Sequence, residues 1–272
     1  MVATHDAQPG PELGAGLPLT RMPAHWMLGR LGKKVMRPGG FAMSERMIAN
    51  LAITASDDVV EMWPGLGRTA ALALAYRPRS YIGIERGEAE AARARNQLDG
   101  TGHRCVVAPV HRSGLPDDSA GVVYGEALLT LEPASMKAAV LAEVARLLTP
   151  TGRYGIHELL LTPDNLTEAA KDDIQTVQTS VLRIGARPLT RPEWCTLLEG
   201  SGFTVHVEET SPLLLLDPRT VLADEGLGGT ATILGRSLAN PSVLPRLTRI
   251  WRTFHRYRDN LGAITLVAHR QD

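Results

Sequence analysis

Short apolar runs alternate with amphipathic stretches over most of the chain, a pattern typical of a sheet covered by helices. Five runs predict inner strands, and they begin near Asp58, Ser80, Cys105, Gly121 and Arg153. Helical spacing between and after these runs predicts helices at 68–76, 88–97 and 135–148. Because strands and helices alternate, we expect the strands to be parallel and to carry ligands beyond their carboxyl ends.

The N-terminal part of the chain follows a different pattern. Residues 1–20 are rich in proline and glycine and show no periodicity, which is typical of a flexible leader. Residues 21–56 carry two helical patterns, at 25–36 and 44–51, separated by Arg37-Pro-Gly-Gly40. We interpret them as a helical lid over a main domain at 57–272.

The C-terminal part predicts helices at 165–184 and 191–200, a sixth strand at 202–206 and a last strand at 264–268. The segment at about 212–260 is too apolar for a linker, so we expect an inserted helical cap. Its last helix has an apolar face, which we expect to pack in the core or at the interface of a homodimer. Another face carries four arginines, for which a solvated surface is the first interpretation. An anion-recognising rim over the substrate or a local nucleic-acid contact is the alternative.

The residues from Asp58 to Ala70 combine an apolar run that ends in an acid with a glycine turn that opens a helix. Gly65-x-Gly67-x-x-Ala70 fits a nucleotide-cofactor fingerprint, because glycines let the backbone approach a ligand and the helix presents free N–H groups. A lone match also arises by chance in a chain rich in glycine and alanine. The neighbouring residues therefore decide its meaning.

Two acids accompany the turn. Glu61 ends the first apolar run, and its carboxylate is expected to face an ammonium or sulfonium better than a pyrophosphate. Glu85 ends the second run, where an acid can accept hydrogen bonds from both hydroxyls of a ribose. A strand-end carboxylate turned to solvent is the alternative for each.

The following segments continue in the same order. Leu115-Pro-Asp-Asp-Ser119 precedes the fourth run, and Leu147-Leu-Thr-Pro-Thr-Gly152 precedes the fifth. Together with the glycine turn, they resemble class I S-adenosylmethionine-dependent methyltransferases of the small-molecule type over about residues 43–203. The resemblance implies an α/β, Rossmann-like, doubly wound sheet of seven strands, mostly parallel with an antiparallel last strand. It also implies S-adenosylmethionine as cofactor and S-adenosylhomocysteine as product.

Matching by position assigns site residues to this chain. The resemblance implies that Glu61 binds the methionine part of the cofactor through water or glycine backbone, that Glu85 binds the ribose, and that Arg86 lies beside the adenine. The expected cofactor residues are Gly40, Glu61, Trp63, Gly65, Gly67, Glu85, Arg86, His111 and Glu126. His157 and Glu158 are candidate general bases for a hydroxyl or acidic-carbon acceptor, as is Glu126, and a structural role for each stays open.

Two positions depart from the family pattern. Trp63 stands where the first glycine is usual, so we expect a changed loop with the indole as a wall of the pocket. The acid that usually follows the third strand is absent, and His111 or a backbone carbonyl would replace it. These departures motivate an alternative, a non-catalytic ligand-sensing or partner-binding protein. An NAD(P)-dependent oxidoreductase is disfavoured by Glu61 and by the missing Tyr-x-x-x-Lys pattern.

The amino-acid composition limits the classes of partner that we expect for this protein. Lysine plus arginine and aspartate plus glutamate both number 29, so the net charge is zero and nucleic acid is disfavoured as a partner. Two cysteines predict neither a disulfide framework nor a metal site and fit a reducing cytoplasm. The first residues lack a secretory signal pattern, and the longest aliphatic run, 213–216, is too short to span a bilayer. We expect a cytoplasmic methyltransferase without a membrane partner, acting on a small, partly apolar molecule.

Overall fold

The computed structural model describes residues 16–96, 98 and 102–271. The strands are β1 (Asp58–Met62), β2 (Ser80–Glu85), β3 (His103–Val107), β4 (Ala120–Glu126), β5 (Leu148–Leu161), β6 (Leu189–Thr190), β7 (Phe203–Pro212) and β8 (Leu261–Arg270). The helices are α1 (Ala24–Leu31), α2 (Phe41–Asn50), α3 (Arg68–Ala75), α4 (Glu88–Arg95), α5 (Ala134–Leu147), α6 (Glu168–Leu182), α7 (Arg191–Glu199), α8 (Pro218–Ala239) and α9 (Leu244–Arg256). Two short 3-10 turns lie at Leu129–Leu131 and Pro241–Val243.

One sheet runs through the described part of the chain in the order β3-β2-β1-β4-β5-β8-β7. The strands from β1 to β5 pair in parallel, whereas β8 is antiparallel to both β5 and β7. The predicted doubly wound, mostly parallel sheet with an antiparallel last strand is confirmed. The two-residue strand β6 beside β5 is an addition, because so short a bridge leaves no periodicity in the sequence.

Helices bury apolar side chains on both faces of the sheet. On one face α5 and α7 contribute Val144, Leu147 and Trp194 to the largest core cluster. On the other face α2 and α3 contribute Ile48 and Ala73 among others. Each helix reaches the sheet through residues three or four apart, which is the spacing that predicted these helices.

The N-terminal lid and the predicted cap pack on each other. Met27 and Leu31 of α1 share a cluster with Val181 of α6 and Ile250 of α9. Residues 1–15 of the expected leader lie outside the described residues. The boundaries of the leader, lid and cap stay predictions, but β7 extends to Pro212, which lies inside the range expected for the cap. Among the described helices, none has the length and apolar character needed to cross a membrane.

Candidate cofactor and active site

A cavity of about 540 Å³ opens where β1, β2 and β4 end. Its volume lies in the range of small-molecule sites. The segment from Pro23 to Arg37 supplies part of the opposite wall. Of the residues expected from the sequence, those that line the cavity are Trp63, Gly65, Glu85, Arg86 and Glu126.

The turn after β1 is shaped by three residues with left-handed backbone conformation. Trp63, Gly65 and Gly67 have φ angles of 58°, 60° and 71°. Such a conformation costs a non-glycine residue about 1–3 kcal/mol, so Trp63 is strained where glycine would not be. Gly67 is the N-cap of α3 and supports the turn without lining the cavity.

Trp63 and Arg86 form one side of the cavity. The Arg86 guanidinium carbon lies 4.1 Å from the centre of the Trp63 ring, within the range of a cation–π contact. The indole Nε1 of Trp63 is buried and has no hydrogen-bond partner among the described residues. A buried unpaired donor costs about 1–3 kcal/mol, so an acceptor on a bound ligand would stabilise this side chain.

Glu85 joins β2 to the glycine turn. Its Oε1 accepts a hydrogen bond of 2.6 Å from the backbone N–H of Gly65. Burial raises the pKa of Glu85 to about 7, although the Gly65 N–H acts in the opposite direction. Glu85 therefore becomes a full carboxylate acceptor only as the pH rises above about 7.

Glu126 is the centre of a buried hydrogen-bond cluster. Its Oε2 accepts from Arg37 Nε at 2.5 Å and from the Thr69 hydroxyl, while Oε1 accepts from His157 Nδ1 at 3.0 Å and from the Ser44 hydroxyl. Burial alone would raise the pKa of Glu126, but Arg37 and His157 outweigh burial and lower it to about 2. Glu126 thus stays ionised and holds the N-terminal segment against β4.

Arg37 is a site residue that the sequence reasoning missed. Its side chain lines the cavity, and its Nη2 also donates to the Thr69 hydroxyl at 3.2 Å. The guanidinium is fixed on one side by Glu126 and Thr69, while the side chain borders the cavity. The available signal was its position directly before Pro-Gly-Gly40, in the turn already expected to approach the cofactor.

His157 and Glu158, the candidate general bases, lie away from the cavity, so their catalytic role stays a prediction that this geometry does not support. Both side chains are fully buried, and neither lines the cavity. His157 Nε2 accepts from the Gly39 N–H at 3.1 Å, so the ring proton lies on Nδ1, which donates to Glu126. Glu158 accepts hydrogen bonds from the backbone N–H groups of 128, 129 and 130 at 3.0, 2.8 and 2.9 Å. The reason is that β5 continues to Leu161, so both residues lie inside the strand.

Glu61 also departs from its expected position. Its carboxylate is buried on the sheet face covered by α2 and α3, where Oε2 accepts from the Tyr124 hydroxyl at 2.7 Å and from the Tyr81 hydroxyl. Burial raises the pKa of Glu61 to about 7. The prediction that this carboxylate faces a cation over the turn is wrong, because the strand alternation and register direct it toward two tyrosines.

Gly40 and His111 are likewise not among the cavity residues. Gly40 begins α2 with φ of 77°, and a Cβ there would lie 2.8 Å from Thr220 Cγ2 of α8. It is therefore a packing position between two helices. His111 is exposed to solvent and does not replace the missing acid after β3. No group of three or more histidine, cysteine, aspartate or glutamate residues within the described ranges is arranged to hold a metal ion.

Residues 61–156 match the family model described as Methyltransferase domain. The match begins at the acid of β1 and ends within β5, so it spans the glycine turn, Glu85 and Glu126. The part of the chain that forms β1 to β4 and the start of β5 is therefore similar to a methyltransferase domain. Of the nine residues that the sequence resemblance assigned to the cofactor, five line the cavity.

Similarity to other proteins extends over most of the chain. An uncharacterized protein of Haemophilus influenzae is 28% identical over 254 residues, which cover 90% of this chain and 97% of that protein. The structure of the cyclase SpnF has a TM-score of 0.67 at 14% identity and covers 90% of both chains. The structure of phosphoethanolamine N-methyltransferase 2 from Haemonchus contortus in complex with phosphomonomethylethanolamine and S-adenosylhomocysteine has a TM-score of 0.61 at 13% identity. The matched region covers 89% of this chain and 56% of the N-methyltransferase chain. At these identities the two structures show a shared fold alone.

Proposed function

We propose that the domain binds S-adenosylmethionine in the cavity and transfers the methyl group to a small, partly apolar molecule. One observation carries the proposal: Glu85, Gly65 and Trp63 converge on a single cavity at the ends of the parallel strands. All three lie in the segment that matches the methyltransferase family. In doubly wound sheets, ligands bind in the crevice outside these strand ends.

The cavity residues fit the cofactor by their chemistry. Glu85 can accept hydrogen bonds from ribose hydroxyls, and the unpaired Nε1 of Trp63 needs an acceptor. A Cβ on Gly65 would meet nothing closer than 3.9 Å, so space lies beside the turn. The Trp63 ring suits an adenine or a sulfonium cation. Arg37 would hold the carboxylate of the methionine part, since arginine recognises carboxylates through paired donors.

The bound cofactor would supply an electrophilic methyl group on its sulfonium. The residues of this chain then orient donor and acceptor and keep water out, which are the main requirements of an in-line displacement. Because His157 and Glu158 are committed to internal hydrogen bonds, the proposal assigns neither of them a proton transfer. Catalysis in this account rests on alignment of the two reactants.

The apolar part of the cavity indicates the acceptor class. Trp26, Met36, Leu131 and Ile184 line it from the lid, the 3-10 turn after β4 and the end of α6. An apolar portion of the acceptor would bury its surface against them, at about 25 cal/mol for each Å² removed from water. These side chains belong to segments outside or at the edge of the core sheet, where acceptor pockets can vary without changing the cofactor site.

A ligand-sensing protein without methyl transfer is the second candidate. Two observations favour it: Trp63 occupies a strained position in the turn, and His111 does not replace the missing acid after β3. A fold also hosts many unrelated functions, and the similar structure of a cyclase illustrates this. This candidate predicts ligand binding without product.

Transfer of tritium from labelled S-adenosylmethionine to a small-molecule extract tests the proposal. We expect extract-dependent labelled product with the wild-type protein and a loss of at least tenfold with Glu85→Gln, because a charge-assisted hydrogen bond contributes about 1.5–3 kcal/mol. Glu88→Gln is the matched control, since Glu88 lies nearby on α4 and pairs with Arg95 on the surface. Cofactor binding without product would support the sensing candidate, and absence of both would contradict both candidates.

A further inference from the structure

Helix α8 presents its apolar side to solvent. Leu227, Leu234 and Leu238 are 81%, 60% and 73% exposed, whereas the buried residue of this helix is Ser237. Spacings of seven and four residues place the three leucines in one stripe of a helix. A surface helix normally turns such a stripe toward the core. The described part of the chain therefore leaves this stripe uncovered.

The inner side of α8 is already occupied by the lid. Arg236 Nη1 donates to the backbone oxygen of Arg30 at 3.1 Å, and Thr232 and Ile233 lie against Gly32. These contacts fix the helix with its polar and small residues inward. The leucines cannot rotate into the core without breaking them.

Helix α9 carries a concentrated positive charge. Residues 240–258 contain five arginines and no aspartate or glutamate. Arg249, Arg252 and Arg256 line a groove of about 420 Å³ together with the side chains of Thr248 and Thr253. Within the described residues, none of these three arginines forms an ion pair with a carboxylate.

Apolar and cationic side chains are both exposed on α8 and α9. Leu238 precedes and Leu244 follows the 3-10 turn that joins α8 to α9. Trp251 is 48% exposed, and Arg252, the next residue of α9, is also exposed. We define the docking surface as Leu227, Leu234, Leu238, Leu244, Trp251, Arg249, Arg252 and Arg256.

We propose that the docking surface binds a membrane that contains anionic phospholipids. Leucine and tryptophan side chains enter the boundary between headgroups and acyl chains, and arginines bind lipid phosphates. A second copy of the chain fits the surface less well, because a two-fold interface would bring the same arginines together. A nucleic acid would pair with the arginines but leave the leucines in water.

This proposal replaces the expectation that the protein has no membrane partner. That expectation rested on the absence of an aliphatic run long enough to span a bilayer. This absence does not exclude a helix that lies at the membrane surface, where the distribution of charge and apolar area decides binding. The docking surface concentrates both within α8 and α9, although the whole chain is neutral.

Sedimentation with lipid vesicles tests the proposal on the full chain. We expect binding to mixed phosphatidylcholine–phosphatidylglycerol vesicles and little binding to pure phosphatidylcholine. Arg249→Gln/Arg252→Gln should weaken binding about 25-fold, because each arginine near such a surface contributes about 1 kcal/mol, or roughly fivefold. Leu234→Ser/Leu238→Ser should weaken it at least tenfold, because each exposed leucine loses its burial in the lipid.

Arg104→Gln/Arg112→Gln is the matched control, since both arginines are exposed and the change in net charge is the same. We expect it to bind vesicles as the wild type does. Circular dichroism and S-adenosylhomocysteine binding check that each variant is folded. Equal binding to neutral and anionic vesicles, or unchanged binding of both docking-surface variants, would overturn the proposal. So would a wild-type dimer that the leucine variant converts to a monomer, or an oligonucleotide that binds the arginines while vesicles do not.

Discussion

Three glutamates near the ends of neighbouring strands differ in ionisation because their partners differ. Burial raises the pKa values of Glu61 and Glu85 to about 7, whereas Arg37 and His157 outweigh burial at Glu126 and lower its pKa to about 2. Of the three, Glu85 and Glu126 line the cavity. Glu126 is therefore a permanent charge that holds Arg37, and Glu85 is the titrating acceptor beside the glycine turn.

Glu61→Gln should stabilise the protein at neutral to alkaline pH. A carboxyl whose pKa is raised on folding binds its proton more tightly when folded, so its ionisation destabilises the fold as the pH rises from about 4.5 to 7. The amide removes this ionisation and still offers an oxygen to Tyr81 and Tyr124. We expect the free energy of unfolding to rise by about 1–3 kcal/mol at about pH 8 and to change little at about pH 4. Urea unfolding at both pH values measures it.

The exposed Glu88→Gln variant serves as the control for loss of one surface carboxylate and should leave the free energy of unfolding nearly unchanged. If Glu61→Gln lowered the stability at about pH 8, the ionised carboxylate would be a stabilising partner of the two tyrosines. That outcome would contradict the role assigned to Glu61.

The sequence predicts a site residue when its role depends on near neighbours. Glu85 ends β2 and Gly65 lies in the turn after β1, and both line the cavity as expected from these positions. Glu61 and His157 depend on distant partners, since Tyr124 lies opposite Glu61 only through strand register, and the Gly39 bond to His157 joins residues 118 apart. A single sequence contains no signal for such contacts between residues that are far apart along the chain.

At the scale of elements, the turn between α1 and α2 fixes the lid on the sheet. A Cβ on Gly39 would lie 2.3 Å from Met43 Sδ and 3.2 Å from His157 Nε2. This close approach allows the Gly39 N–H to reach His157 and keeps Arg37, two residues earlier, beside Glu126. Close packing of this turn thus positions Arg37 at the cavity.

Gly39→Ala should therefore weaken both folding and cofactor binding. The added methyl group must displace Met43 or the strand behind it, which costs about 1–3 kcal/mol of unfolding free energy. We also expect weaker binding of S-adenosylhomocysteine, because the displaced turn carries Arg37. Gly235→Ala is the control: it lies in α8 with nothing within 4 Å, and alanine there should stabilise the helix by about 0.5–1 kcal/mol. Chemical unfolding measures the free energy of unfolding of both variants. A Gly39→Ala protein as stable as the wild type would contradict this account of the turn.

Element types followed from local patterns, but element ends did not. The predicted helices at 44–51 and 135–148 correspond to α2 and α5 within a few residues. The fifth strand was expected to begin near Arg153, but β5 begins at Leu148 and continues to Leu161. Leu159, Leu160 and Leu161 pair with β8, so His157 and Glu158 lie inside the strand and not at its end.

At the scale of the whole molecule, alternation of strands and helices was enough to predict the sheet. The sequence did not predict which face of α8 is exposed to solvent. An amphipathic pattern shows which residues share a face of a helix, but not which face another element covers. The arginines within 240–258 are visible in the sequence, but the exposure of the leucines of α8 is not. The docking surface is therefore a property of the folded chain that the sequence does not predict.

Calorimetric titration with S-adenosylhomocysteine at about pH 8, where Glu85 is ionised, tests the central claim most directly. The account predicts a dissociation constant at or below about the micromolar range, as is common for enzyme ligands. It predicts affinity at least tenfold weaker for Glu85→Gln and unchanged for Glu61→Gln. A folded wild-type protein that binds no cofactor would contradict the account, and so would binding that depends on Glu61 but not on Glu85.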